Sequence, residues 1–334
     1  MKKNLPVVII LAVFITSVAM VRNDKKVQSY HSQADIDFYN QHKTPAPPID
    51  SNEYFLTPQN CGGCHGFDPQ GMALVDQNGH DVNIYDDWQT SMMGLSAVDP
   101  LWRAKVSHEI LTNPSNALEA QTFCTRCHAP MGHYSAMFKG ATHYTIDSLN
   151  VDSLGLSGVA CGGCHAISAN NLGTTFSGVI PYDTNNIEYG PFDSVMTGPM
   201  QLYVGITPML GTHMNESRAC APCHTLQSAT LDLSGNATGN IFTEQATYHE
   251  WLNSVYPSQP VTCQNCHMPQ IEDAVKIAVG YTALPGRSPF NIHTFAGANQ
   301  FMVNLIKNNK TALNINHADN NFDSTVAAIS TLLR

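Results

Sequence analysis

The sequence predicts a mainly α-helical protein with much irregular structure, whose interior is filled largely by bound groups rather than by its own side chains. Three observations predict this. Charged residues make up 13% of the 334, about half the usual share for a soluble domain. Glycine and proline are plentiful, at 23 and 19, and the apolar stripes between them are few and short. All ten cysteines fall into one repeated five-residue pattern, and none is left over. The net charge of -10 argues against nucleic acid as a partner and suits basic protein partners.

From the N-terminus, Lys2 and Lys3 form a basic start and Leu5 to Ile15 an apolar run, with Ser17 and Ala19 spaced for cleavage after Ala19. Residues 1–20 therefore read as an export signal, which puts the mature chain in the periplasm or outside the cell. The competing expectation is an uncleaved anchor, for which the run ending near Val21 is slightly short. Residues 21–55 are polar and contain Pro45-Ala46-Pro47-Pro48, an extended lead-in. Residues 56–300 form the body, and residues 301–334 a C-terminal helical segment. The apolar turn before Arg334 fits either a continuation or a helix that docks back.

The five repeated patterns are Cys61-Gly-Gly-Cys64-His65, Cys124-Thr-Arg-Cys127-His128, Cys161-Gly-Gly-Cys164-His165, Cys220-Ala-Pro-Cys223-His224 and Cys263-Gln-Asn-Cys266-His267. Each is the attachment sequence for haem c. Two thiols, two residues apart, reach the two vinyl groups of one porphyrin edge, and the following histidine meets the iron as proximal ligand. A disulfide framework or paired zinc sites would also use spaced cysteines, but neither needs a histidine directly after every second one. Five covalent haems in a body of this length give one per fifty or so residues. The motifs follow no fixed period, which excludes a solenoid.

Asp99-Pro100 reads as a cap and first helical residue, followed by a stripe of Leu101, Trp102, Val106, Ile110 and Leu111. Thr243 is expected to cap a second helix, with Tyr248, Trp251, Leu252 and Val255 on one face. Further stripes are Phe301, Met302, Leu305 and Ile306, then Val326, Ile329, Leu332 and Leu333.

The second axial ligand decides between electron transfer and chemistry at the iron. His31 and His42 lie in the polar lead-in. Of His80, His108, His133, His143, His213, His249, His293 and His317, the best placed are His213, seven residues before Cys220, and His293, in a loop after the last motif. His249 reads as a surface residue and His317 as peripheral. Methionine is the other common ligand; Met92-Met93 is the most suggestive pair, with Met131 and Met268 able to ligate or to pack.

Tyr85-Asp-Asp-Trp88, Ser91-Met92-Met93, Asp99-Pro100, Phe123-Cys-Thr-Arg-Cys-His128-Ala-Pro-Met131, Gly158-Val-Ala-Cys161, Tyr189-Gly-Pro-Phe192, Glu250-Trp251, Cys263-Gln-Asn-Cys266-His267-Met268-Pro269 and His293-Thr-Phe-Ala-Gly297-Ala-Asn299 together resemble the multihaem cytochromes related to hydroxylamine oxidoreductase and octahaem tetrathionate reductase. The resemblance runs from Leu56 to Asn308. It implies a helical, haem-packed fold with close haem pairs, and His213 and His293 as distal ligands. Relatives often carry histidine where Met93 stands, which implies one His/Met iron here. The lysine that replaces an attachment histidine in related nitrite reductases is absent from all five motifs, and no counterpart of the cross-linking tyrosine is identifiable. The expectation is therefore an exported five-haem carrier serving redox partner proteins, with oligomers open. The alternatives are a reductase of a small nitrogen or sulfur compound at one five-coordinate haem, and a subunit of a haem filament.

Overall fold

The computed structural model describes residues 51–334, apart from Thr282. The chain divides into Met1–His42 and Lys43–Arg334, and the described residues belong to the second unit. The export signal, His31, His42, Pro45 to Pro48 and nearly all of the lead-in lie outside the described residues.

Helices dominate, and most are short. They are α1 (Pro58–His65), α2 (Ile84–Gln89), α3 (Pro100–Thr112), α4 (Ala117–His128), α5 (Pro130–Phe138), α6 (Ile146–Asn150), α7 (Ser153–Leu156) and α8 (Cys161–His165) in the first half. Strand β1 (Ile187–Gly190), helix α9 (Gly198–Val204) and strand β2 (Thr207–Leu210) follow, with the two strands parallel. Next come the antiparallel hairpin β3 (Leu226–Leu231) and β4 (Ala237–Gln245), helices α10 (Thr247–Leu252) and α11 (Cys263–His267), and the two-residue strands β5 (Gln270–Ile271) and β6 (Phe290–Asn291). Helices α12 (Gln300–Asn309) and α13 (Asp319–Leu332) complete the order. This is the mainly α, largely irregular architecture expected. Among the described residues no helix is long and apolar enough to cross a membrane.

Local chemistry sets the helix starts. Asp99 accepts from Leu101 N at 2.8 Å ahead of Pro100, as its sequence implied. Asn83 caps α2 through Asp86 N at 2.8 Å, and Thr145 with Ser148 closes a capping box on α6. The expected cap at Thr243 is not there. Thr243 lies inside β4, paired with Gln227, because the preceding Asn240 to Phe242 continues the ladder; the helix starts only at Thr247.

The apolar interior is split into separate clusters. On α3, Trp102 and Val106 pack with Ala129, Tyr144 and Leu149, while Leu101 and Leu111 of the same stripe face outward. The C-terminal pair α12 and α13 buries Val303, Ile306, Phe322 and Ile329 against Leu95 and Ala296. Phe301, read as part of the α12 stripe, is instead exposed; Val303 takes the inward position. The last helix thus docks back on the body, aided by Thr90 Oγ1 against Thr325 Oγ1 at 2.7 Å and by ion pairs of Lys307 with Asp323 and Lys310 with Asp319. Phe322 is completely buried. Replacing it with alanine is expected to lower stability by about 3–5 kcal/mol in denaturant unfolding of the loaded protein; a loss below about 1 kcal/mol would show that α13 is not part of the core.

Candidate haem sites

Each Cys-x-x-Cys-His motif occupies one helical turn. His65, His128, His165 and His267 are the last residues of α1, α4, α8 and α11. At the fourth motif a single turn is closed by His224 N donating to Cys220 O at 3.0 Å. On such a turn, residues i, i+3 and i+4 share a face. Both thiols and the imidazole of every motif therefore point the same way, as attachment to one porphyrin edge and one iron requires.

The two residues between the cysteines do different work at each motif. At the first, Gly62 meets the Tyr85 ring, where a Cβ would come within 2.8 Å. At the second, Thr125 is fully buried and its hydroxyl donates to Tyr144 O at 3.0 Å. Arg126 and Cys127 crowd Gly178, whose φ of +74° and lack of a side chain let the loop pass. At the fourth, Pro222 O accepts from Gly178 N at 2.7 Å, tying motifs two and four to one loop. At the fifth, Thr262 and Asn265 form a capping box, and Gln264 Nε2 donates to Met214 O and Glu216 O, each at 3.0 Å.

The imidazoles are held from behind. The Nδ1 atoms of His65, His165 and His267 lie 2.6 Å from the carbonyls of Ile277, Tyr189 and Ala296. A carbonyl only accepts, so Nδ1 carries the proton and the Nε2 lone pair is free for a metal. His128 Nδ1 has a longer contact, 3.3 Å to Ser96 O, and its ring stacks on Trp102 at 4.5 Å and 6°. Burial, followed by the nearby His224, pushes the His128 pKa down to about 4, which favours the neutral, ligating form. The chemistry of this donor set fits c-type haem at all five motifs. Among the described residues no three His, Cys, Asp or Glu side chains converge as zinc would need.

The motifs adjoin one another. The thiols of Cys61 and Cys161, of Cys127 and Cys223, and of Cys220 and Cys263 lie beside one another. Cys164 lies within electrostatic reach of both Cys220 and Cys223. The neighbour order is thus one, three, four and five, with motif two beside motif four. Cys266 and His267 are exposed, so motif five faces solvent.

His293 stands opposite His165. Their ring centroids are 6.5 Å apart and their planes differ by 16°. That spacing is of the size that one metal held between two imidazole nitrogens would need. His293 Nδ1 is held by Asn291 O at 2.9 Å, which again frees Nε2. Burial, then His165, pushes its pKa down to about 4. The Asp87 carboxyl, raised to about 7 by burial and then by Asp81 and Asp86, accepts from the His293 backbone N–H. His213 is buried with Nε2 on Ile167 O at 2.7 Å, leaving Nδ1 as its free nitrogen. Met93 is half-buried in the cluster of Trp88, Met131 and Ala160, and its carbonyl accepts from Val159 N at 3.0 Å. His133, which the sequence did not single out, is buried with Nδ1 3.1 Å from Thr125 Oγ1. His80 pairs with Asp76 on an outer loop, His249 packs on Phe176, and His317 lies beside Phe322. The carbonyl partners were invisible in the sequence because backbone acceptors carry no residue signature.

No protein-family model and no curated protein matches the chain. Among solved structures it is similar to a penta-heme cytochrome c552 from Thermochromatium tepidum, at 17% identity over 75% of this chain, with a TM-score of 0.42. The match spans 60% of the length of that structure.

Proposed function

We propose that this chain is a five-haem c-type cytochrome that carries electrons. When bound, the haems supply reversible one-electron chemistry between ferrous and ferric iron. The single observation behind this reading is that all ten cysteines and five histidines present matching faces on adjoining turns. The cysteines Cys61, Cys64, Cys124, Cys127, Cys161, Cys164, Cys220, Cys223, Cys263 and Cys266 form the thioethers. The imidazoles of His65, His128, His165, His224 and His267 bind the irons from the proximal side. His293 closes the distal side opposite His165, and His213 and Met93 are the further distal candidates. Thiol contacts across motifs bring the attachment edges together, the arrangement a relay needs.

Export to the periplasm or cell surface, a basic redox partner and kinship with the cytochromes related to hydroxylamine oxidoreductase belong to the same proposal. It rests on the N-terminal signal, the acidic balance and the quoted motifs. Intact-protein mass spectrometry is expected to find five porphyrin adducts. Ferric spectra are expected to be wholly low-spin, and carbon monoxide to bind the reduced protein barely. A bare-chain mass would end the proposal. A high-spin signal with substrate-dependent reoxidation would replace the carrier with a reductase working at one open iron.

A further inference from the structure

Motifs two and four differ from the other three in what holds their histidines. The Nδ1–H groups of His65, His165 and His267 each make a 2.6 Å bond to a carbonyl. At His128 the corresponding distance is 3.3 Å, beyond the ordinary range. Among the described residues the half-buried His224 ring has no hydrogen-bond partner, this residue being fixed only through the backbone by His224 N on Cys220 O and Tyr248 N on His224 O. A short Nδ1–H···O=C bond pushes electron density into the ring, makes Nε2 a stronger donor and favours ferric iron. Its weakening or loss favours ferrous iron.

Burial sets motif five apart rather than separating motifs two and four from motif three, whose Ala160, Gly162, Gly163 and Ala166 are buried as well; the long or missing hydrogen bond is what sets two and four apart. Ala221 and Pro222 enclose the turn of motif four, and Trp102, Thr125 and Ala129 enclose that of motif two. Apolar surroundings disfavour the state of higher charge, which is the ferric one. Motif five, with Cys266 and His267 exposed, has the opposite setting. With so long a hydrogen bond, His128 takes its orientation from the Trp102 indole stacked on it at 4.5 Å. Motifs two and four are also neighbours, through Cys127 and Cys223.

We propose that motifs two and four form the high-potential pair of the molecule, a store for two electrons, with Trp102 as the positioning residue for His128. This rests on the five-haem reading above. Each transfer oxidises one ferrous site of the low-potential set to ferric and reduces one ferric site of the pair to ferrous. No bond and no proton changes place. Motif four, within reach of Cys164 and Cys263, receives electrons from either arm, and motif two lies behind it.

The test is a spectroelectrochemical titration of the loaded full chain, with dithionite as reductant and ferricyanide as oxidant, resolved into five one-electron components. The two highest components are expected to stand apart from the other three by tenfold or more in reduction equilibrium, about 59 mV. His128→Met marks its own site, either by raising that component or, where the haem is not retained, by deleting it. It is expected to mark one of the two highest components of the natural protein, and His267→Met one of the three lowest. Trp102→Leu is expected to shift the component that His128→Met marks and to leave the other four in place. The store is overturned if His128→Met marks one of the three lowest components, or if all five coincide. An unchanged titration in Trp102→Leu removes the positioning role. A mass showing fewer than five adducts would instead defeat the underlying five-haem reading, so the two failures are distinguishable.

Discussion

Replacing His293 with alanine is expected to turn one of the five ferric sites from low-spin to high-spin and to let one carbon monoxide bind per reduced molecule. The geometry limits the effect to a single iron. His165 and His293 face each other at 6.5 Å with nearly parallel rings, and each has its Nδ1 fixed by a carbonyl, of Tyr189 and of Asn291. Under the proposed ligation, removing one imidazole would leave His165 as the sole protein ligand at motif three, because alanine has no donor atom. A haem with an open position binds small ligands; one with two strong ligands does not. Carbon monoxide uptake should therefore rise from near zero to about one equivalent per five haems. The change is read by electronic spectra in the ferric state and by carbon monoxide titration in the ferrous state. If all five sites stay low-spin, His293 serves no iron and its loop has only a packing role.

Much of this was legible in the sequence, for a definite reason. The Cys-x-x-Cys-His pattern is both the chemical requirement and one turn of helix, so composition and geometry coincide at Cys61, Cys124, Cys161, Cys220 and Cys263. The cap at Asp99 was equally plain, because it acts on its own neighbours. What the sequence hid is whatever depends on distant backbone. The carbonyls of Ile277, Tyr189 and Ala296 lie 212, 24 and 29 residues from the histidines they hold. His213 was placed by its spacing, but the Ile167 carbonyl 46 residues away, which engages its Nε2 and leaves Nδ1 as the free nitrogen, had no sequence signal. The expected cap at Thr243 failed because a strand partner outcompeted a local signal. Phe301 and Leu101 fit helical stripes by spacing alone, but in small clusters a stripe has too little core to bury every member.

That last point leads to the second large expectation: a chain produced without haem attachment should show no cooperative unfolding transition. Among the described residues the polypeptide's own interior falls into five separate clusters, the smallest of which holds only Ile167, Leu172 and Ile180 as buried members. The three sheets among the described residues each have two strands, and isolated two-stranded hairpins are marginal in water. Helices α8 and α11 are five residues long, far below the length at which a helix stands alone. Against this small apolar interior stands a backbone entropy of about 1–2 kcal/mol per ordered residue. The expected loss on omitting the haems is thus the whole net stability of a domain, about 5–15 kcal/mol. The measurement compares far-UV circular dichroism and thermal scans of the haem-free chain, cysteines kept reduced, with those of the loaded protein. A sigmoidal melt in the haem-free chain would show that the side chains alone make a sufficient core. The opposite result follows from the way each motif is built. Thr125, Ala221, Pro222 and Gln264, four of the six residues lying between the cysteines of motifs two, four and five, are themselves buried in the body. The turn that attaches a haem is therefore also part of the packed body, and binding the cofactor and forming the fold are coupled.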